Sequence, residues 1–196
     1  MNRRTPLLTT PDLQISRFDH PPGFEHRDPG DEVCDSYEVS FVERGGFHVV
    51  AGGRTWQPAA GDMFLTSPGL RYRCYHAEAF PGDVCLTISY RDALKPSREP
   101  ALTSFAGRPP IVTGDNRLAY LHWRLATALA APEFAMTAET IALDVLAALA
   151  APRGAHRRYR YAQLVWYGER IQAAKEILTR RATRNIRFRS WRARWG

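Results

Sequence analysis

Two thiols and an imidazole in this chain stand at a spacing that suits a metal ion. Cys74 and His76 are two residues apart in a short alternating stretch, so on a strand both side chains leave the same face. Cys85 falls on the next such stretch, expected to neighbour the first. Thiolate and imidazole together fit tetrahedral zinc. Cys34, His20 and His26, from the N-terminal segment, are possible further contributors. A competing reading uses the same residues as small buried thiols and one hydrogen-bonded histidine, since free cysteine is among the most buried residue types. The buried-thiol reading is preferred, so no cofactor is expected, with zinc as the one possible exception.

The elements that must hold these residues follow from the periodicity. Residues 1–35 are rich in Pro, Asp and His, with one candidate strand at 13–18, and suggest a loose arm or an edge strand. From Tyr37 a period of two takes over: Tyr37, Val39 and Phe41 alternate with Glu38 and Ser40. Strands are expected at 47–51, 54–57, 63–66, 72–76 and 84–90, separated by Gly-Gly, Gly-Asp and Pro-Gly turns. In the last, Val84, Leu86, Ile88 and Tyr90 oppose Cys85, Thr87 and Ser89. Short strands with turn signals every 8–12 residues predict a small antiparallel barrel or sandwich.

After a Pro-rich connection at 91–113 the period becomes helical. Asp115 or Asn116 can cap a helix reaching about 131, with Leu118, Leu121, Leu125 and Leu129 on one stripe. Thr137 can cap a second at 138–150, with Ile141, Val145, Leu146 and Leu149 inward. Such stripes serve packing against the sheets, or docking of the helix pair on a second copy as a homodimer. A third helix is expected at about 162–181, with Tyr167, Ile171, Ala174 and Leu178 spaced by four and three. The fold class is therefore α+β.

Charge divides the chain. Residues 1–150 carry 14 Lys and Arg against 18 Asp and Glu, whereas 151–196 carry 13 against 2. A basic C-terminal segment of this kind suits an acidic partner such as DNA. Only Lys95 and Lys175 are lysine, a skew expected of a GC-rich genome, so arginine abundance by itself carries little. Hydrophobic content of 44% and charged content of 24% are those of a globular rather than a disordered chain. No apolar run approaches the roughly 20 residues that span a bilayer. Three cysteines argue against a disulfide framework, and the N-terminus lacks the apolar core of a secretory signal. A cytoplasmic protein without membrane contact is expected.

Ser40-Phe41-Val42-Glu43-Arg44-Gly45-Gly46-Phe47 and Gly61-Asp62-Met63-Phe64-Leu65-Thr66-Ser67-Pro68-Gly69 resemble the N-terminal sensor barrel of AraC/XylS-type transcriptional regulators, a barrel of the cupin type. The stretch from Tyr72 through His76 to Asp83-Val84-Cys85 is similar to a His–Asp–Cys arrangement in some members. Tyr167-Gly168-Glu169-Arg170-Ile171-Gln172-Ala173-Ala174-Lys175-Glu176-Ile177-Leu178 resembles the first helix of that family's DNA-binding domain. The resemblance implies three segments: an effector-sensing barrel with its arm at 1–112, a dimerising helix pair at 113–152, and a basic linker with the start of a DNA-binding domain at 153–196.

The resemblance also implies a small-molecule effector inside the barrel, with Tyr37, Phe41, Phe47, Trp56 and Tyr72 as its aromatic contacts. Core packing is the alternative for each. Arg71 and Arg73, opposite Tyr72, are expected in solvent. Arg153, Arg157, Arg158 and Arg160 would contact DNA phosphates without reading sequence, or form a solvated linker. The family's two helix-turn-helix units need about seven helices, and no residue here matches a base-reading position. The run 182–196, with Arg184, Arg187, Arg189, Arg192 and Arg194, departs from the family's apolar second helix. The expectation is a truncated DNA-binding domain, with an off-frame stretch after Arg181 and impaired sequence-specific binding.

Catalysis is not expected. A metal-dependent cupin enzyme needs two histidines about two residues apart, a glutamate soon after, and a third histidine on a later strand. The hairpin offers His48 alone, expected to face solvent, and one ligand does not hold a catalytic metal. A stand-alone cupin-like small-molecule-binding protein without DNA contact is the alternative function, and a metal-dependent cupin enzyme a more distant one.

Overall fold

In the computed structural model, residues 3–21, 30–76, 82–91, 100–104, 108–130, 135–151 and 161–192 are described. The chain divides into two compact units, Met1–Arg157 and Arg158–Gly196. Within the first unit lie β1 (Arg3–Thr9), β2 (Leu13–His20), β3 (Glu32–Val33), β4 (Tyr37–Gly45), β5 (His48–Ala51), β6 (Arg54–Trp56), β7 (Asp62–Thr66), β8 (Arg71–Tyr75), β9 (Asp83–Tyr90) and β10 (Ile111–Thr113). Helices α1 (Asn116–Leu129) and α2 (Ala135–Ala150) also lie in the first unit, and α3 (Tyr161–Arg192) lies in the second.

The strands form two antiparallel sheets, one of six in the order β1-β2-β9-β4-β7-β10 and one of four in the order β3-β8-β5-β6. This corrects the expected closed barrel: β1 and β10 each pair with one neighbour and leave the larger sheet open. The N-terminal segment was expected to be an arm or edge. Instead β2 is internal, paired with β1 on one side and β9 on the other, and buries Leu13 and Ile15 completely. Its alternation is masked because the strand's other face is lined by Ser16 and Phe18 rather than by charged groups.

Strand β9 shows why the larger sheet is central. One face sends Leu86, Ile88 and Tyr90 into a core shared with α1 and α2, while Cys85 joins a smaller apolar cluster with Phe47, Val49 and Phe64. The sheet is thus covered on both sides, by helices and by the four-stranded sheet. Burying each large aliphatic side chain contributes about 1.5–3 kcal/mol, so these positions fix the register that the site depends on. The Tyr90 hydroxyl donates to the Ala142 carbonyl at 2.8 Å, tying β9 to α2.

Asp115 caps α1, its carboxylate accepting from the Leu118 amide at 2.9 Å. Leu118, Leu125, Ile141, Val145, Leu146 and Leu149 are essentially inaccessible. Both helix stripes are therefore spent inside the chain, on each other and on the sheet. Helix α2 already includes Ala135 and Met136, ahead of the expected start after Thr137, because Ala and Met are good helix formers.

Helix α3 corrects a further expectation. It runs unbroken for 32 residues instead of stopping near 181, since no proline follows Pro152 and arginine and alanine, both good helix formers, are its two commonest residues. Among the described residues no helix-turn-helix forms. No helix among them is long and apolar enough to cross a membrane.

Candidate ligand and metal site

Cross-strand pairing builds the site. On the face of the larger sheet that looks toward the smaller one, β2, β9 and β4 align His20 with Asp83 and Gly45, then Phe18 with Cys85 and Val42. The next rungs are Ser16, Thr87 and Ser40, and then Gln14, Ser89 and Glu38. Period-two geometry puts every second residue on this face, so a run of hydroxyls and carboxylates lies where an apolar core is ordinary. Ser40 and Thr87 share a 2.8 Å hydrogen bond, and Ser89 donates to Glu38 at 2.6 Å.

A cavity of about 150 Å³ opens between the sheets. Phe18, Phe47, Phe64 and Tyr72 form its apolar wall, and Glu38, Ser40 and Thr87 lie on its polar side. Glu32 lines the mouth and accepts a 3.1 Å hydrogen bond from the Tyr72 hydroxyl. Burial and the Glu32 carboxylate push the Tyr72 phenol well above its usual range, so it remains a hydroxyl donor at any physiological pH.

At one end stand His20, His76 and Asp83. His76 Nε2 is 2.6 Å from Asp83 Oδ1, His20 Nδ1 is 3.0 Å from the same oxygen, and the Cys85 thiol donates to Oδ2 at 3.1 Å. Burial alone would raise the Asp83 carboxyl, but the bonds from His20, His76 and Cys85 outweigh it and hold the group well below the usual carboxylate range. Burial drives Cys74 upward, with Glu32 and Asp83 adding to the effect, and likewise drives Cys85 upward beside Asp83. Both therefore sit as neutral thiols rather than nucleophilic thiolates.

Gly45 makes this end of the site possible. Its φ of 70° lies in the left-handed region, and a Cβ there would collide with the Gly82 carbonyl oxygen. The register of β4 against β9 shifts between Val42 and Arg44 just before this point. That irregularity bends the strand where Asp83 enters the sheet.

Of the aromatic effector contacts expected from the sequence, Phe47 and Tyr72 line the cavity. Tyr37 and Phe41 do not: they share the opposite face of β4, toward the helices, where Phe41 stacks on His122 with ring centroids 4.7 Å apart. Trp56, on β6, packs beside the inter-sheet cluster without lining the cavity. His48 is not in solvent but half-buried and stacked on Tyr75 at 4.8 Å. Arg71 and Arg73 are exposed, the latter 3.3 Å from Asp31. The proposed DNA-backbone residues Arg153, Arg157, Arg158 and Arg160 lie outside the described residues.

The expected metal set fares differently. Cys74, His76 and Cys85 all line the cavity. Among the described residues, however, the ligand atoms within 4.8 Å of one another belong to His20, His76 and Asp83. Cys34 instead donates to the Ser36 carbonyl, and His26 lies outside the described residues. Asp83 is not among the ligands expected from the sequence, because its pairing with His20, 63 residues away, has no local signature. The hydroxyls Ser40, Thr87 and Ser89 are legible in the sequence as polar alternate positions of two strands, a pattern that does not say whether that face meets solvent or a cavity.

No protein-family model matches the chain, and neither does any curated protein. Solved structures similar to it include the cupin domain of Schizosaccharomyces pombe Cnp3, 15% identical over 50% of this chain and 70% of that one, with a TM-score of 0.41. An RmlC-like cupin family protein with a double-stranded β-helix fold from Methanocaldococcus jannaschii is 11% identical over 48% and 84%, with a TM-score of 0.40. The Clostridium difficile EutQ protein is 14% identical over 45% and 67%, with a TM-score of 0.38. These likenesses say nothing of this chain's ligand or activity.

Proposed function

We propose that the Met1–Arg157 unit is a cupin-like small-molecule-binding domain whose ligand occupies the cavity between the sheets. One observation carries this reading: the inward face of two adjacent central strands, β4 and β9, presents Ser40, Thr87, Ser89 and Glu38 beside a cavity walled by Phe47 and Tyr72. A purely structural interior would gain stability from apolar side chains at those positions. An interior of about 150 Å³ holds a molecule near the size of benzene, so the ligand class is a small molecule with an apolar ring or short chain and a few hydrogen-bonding groups.

The reading is one of binding rather than turnover. Both Asp83 oxygens are engaged and its carboxyl is a weak base, while Cys74 and Cys85 are held protonated. Thermal-shift titration with small aromatic acids, phenols, amines and diols tests it. At a ligand concentration 100 times Kd, binding adds about 2.7 kcal/mol to stability. The shift should vanish in Ser40→Val/Thr87→Val. Absence of any shift, with a cavity-filling Thr87→Leu that stabilises the protein, sinks the reading.

A second reading, the sensor part of an AraC-type regulator, is favoured by the order of sheets, helix pair and a further helix, and by the excess of 13 basic over 2 acidic residues in 151–196. Gel-shift titration at two salt concentrations tests it, and sequence-preferential binding is the outcome required. Binding that is equal on all sequences and collapses with salt is a phosphate contact only.

A further inference from the structure

We propose that His20 Nδ1, His76 Nε2 and a carboxylate oxygen of Asp83 bind a divalent transition-metal ion at the end of the inter-sheet cavity. The three groups come from β2, the residue that follows β8 and the start of β9, and the pairing of β2 with β9 places His20 directly opposite Asp83. Their ligand atoms all lie within 4.8 Å of one another, with the two nitrogens 3.0 and 2.6 Å from one carboxylate oxygen. Metal bonds of about 2.0–2.1 Å in a tetrahedral site put ligand atoms about 3.3 Å apart. Closure around an ion therefore asks for side-chain movements of an ångström or less, with no change in strand register.

The chemistry of the set agrees. Two neutral imidazoles and one carboxylate make a site of mixed nitrogen and oxygen donors that suits zinc or iron(II) and leaves positions open. Here the open side is the cavity itself, which all three residues line. Asp83 is almost inaccessible, with 2% of its side chain exposed, and His76 is 7% exposed, so an ion held there would be shielded from bulk water on the protein side. The Cys85 thiol, bonded to Asp83 Oδ2, holds the carboxylate in orientation and is not itself a ligand. A metal in this position would give an organic ligand an anchoring point at the far end of the aromatic wall.

This inference deepens the reading of the cavity as a binding site, and the two fail separately. Ser40→Val/Thr87→Val removes hydrogen bonds to an organic ligand without touching the three metal-binding groups.

The test is zinc(II) titration of chelator-stripped, dialysed protein by calorimetry, with cobalt(II) absorption as the spectroscopic probe. One zinc per chain is expected, with a raised melting temperature. Affinity should fall by more than about 100-fold in His20→Ala and His76→Ala, beyond the losses of about 10–100-fold that follow from changing groups that only orient a ligand. Cys85→Ser should retain binding, and the cobalt spectrum should lack a thiolate charge-transfer band. Failure of the stripped protein to take up zinc overturns the proposal, as does unchanged affinity in His20→Ala/His76→Ala. A thiolate band overturns the ligand set in favour of the cysteines. The cobalt measurement needs no variant, so a substitution that unfolds the chain does not decide the matter.

Discussion

His76 and Asp83 face each other across the junction of β8 and β9, with Nε2 2.6 Å from Oδ1. His20 approaches the same oxygen from β2 at 3.0 Å, so one buried carboxylate at the start of β9 holds both the residue that follows β8 and a strand 63 residues away in sequence. Removing it leaves polar groups buried without their acceptor. Asp83→Ala should lower unfolding free energy by about 1–3 kcal/mol in urea titration. A variant as stable as the parent would show that these contacts contribute nothing net.

The same carboxylate sets a pH dependence. Asp83 is depressed from an ordinary 3.8 and Glu43 from 4.5; burial opposes both shifts, and hydrogen bonds from histidines and Arg17 outweigh it. A carboxylate that is more acidic when folded stabilises the native state at pH values above its unfolded pKa. That contribution is intact above about pH 5 and erodes as pH falls through 4 and below. Urea midpoints measured from pH 6 to pH 3 should decline, with a shallower decline in Asp83→Asn. Parallel profiles for the two proteins would remove Asp83 from this account.

Gly45→Ala should damage both stability and the site. Alanine is strained at a positive φ, and its methyl would displace the Gly82–Asp83 backbone. The loss should exceed about 1 kcal/mol, and any ligand-dependent thermal shift should weaken with it. A matching Gly53→Ala, at a turn where a Cβ meets nothing, should cost stability through backbone strain alone and leave the cavity's ligand response unchanged.

Two substitutions on β9 separate packing from hydrogen bonding. Leu86 is fully buried beneath the helices, and Leu86→Ala should cost about 2–5 kcal/mol. Tyr90→Phe keeps the ring and removes only the bond to the Ala142 carbonyl, so about 1 kcal/mol is expected. Equal losses in denaturant titration would contradict the division of roles between these two side chains.

Several features were legible from residue patterns because their causes are local. Alternation placed the start of β4 and both ends of β5 and β9 to within a residue, Asp115 announced the start of α1, and spacing of three and four marked the inward faces of α1 and α2. The same patterns could not say that Tyr37 and Phe41 face the helices while Ser40 and Glu38 face the cavity. A period of two separates the faces of a strand without saying what covers each. Nor could spacing choose between Cys85 and Asp83 as a partner for His76, since both lie nearby in sequence and the deciding neighbour, His20, arrives through β2. Alternation could not choose between barrel and sandwich for a related reason: the segments of β1 and β10 read as arm and connection, and only pairing shows that they end an open sheet. Local propensity and periodicity thus determined which residues form strands and helices. Long-range pairing, in which β2 meets β9 across more than sixty residues, decided which of their side chains form a site.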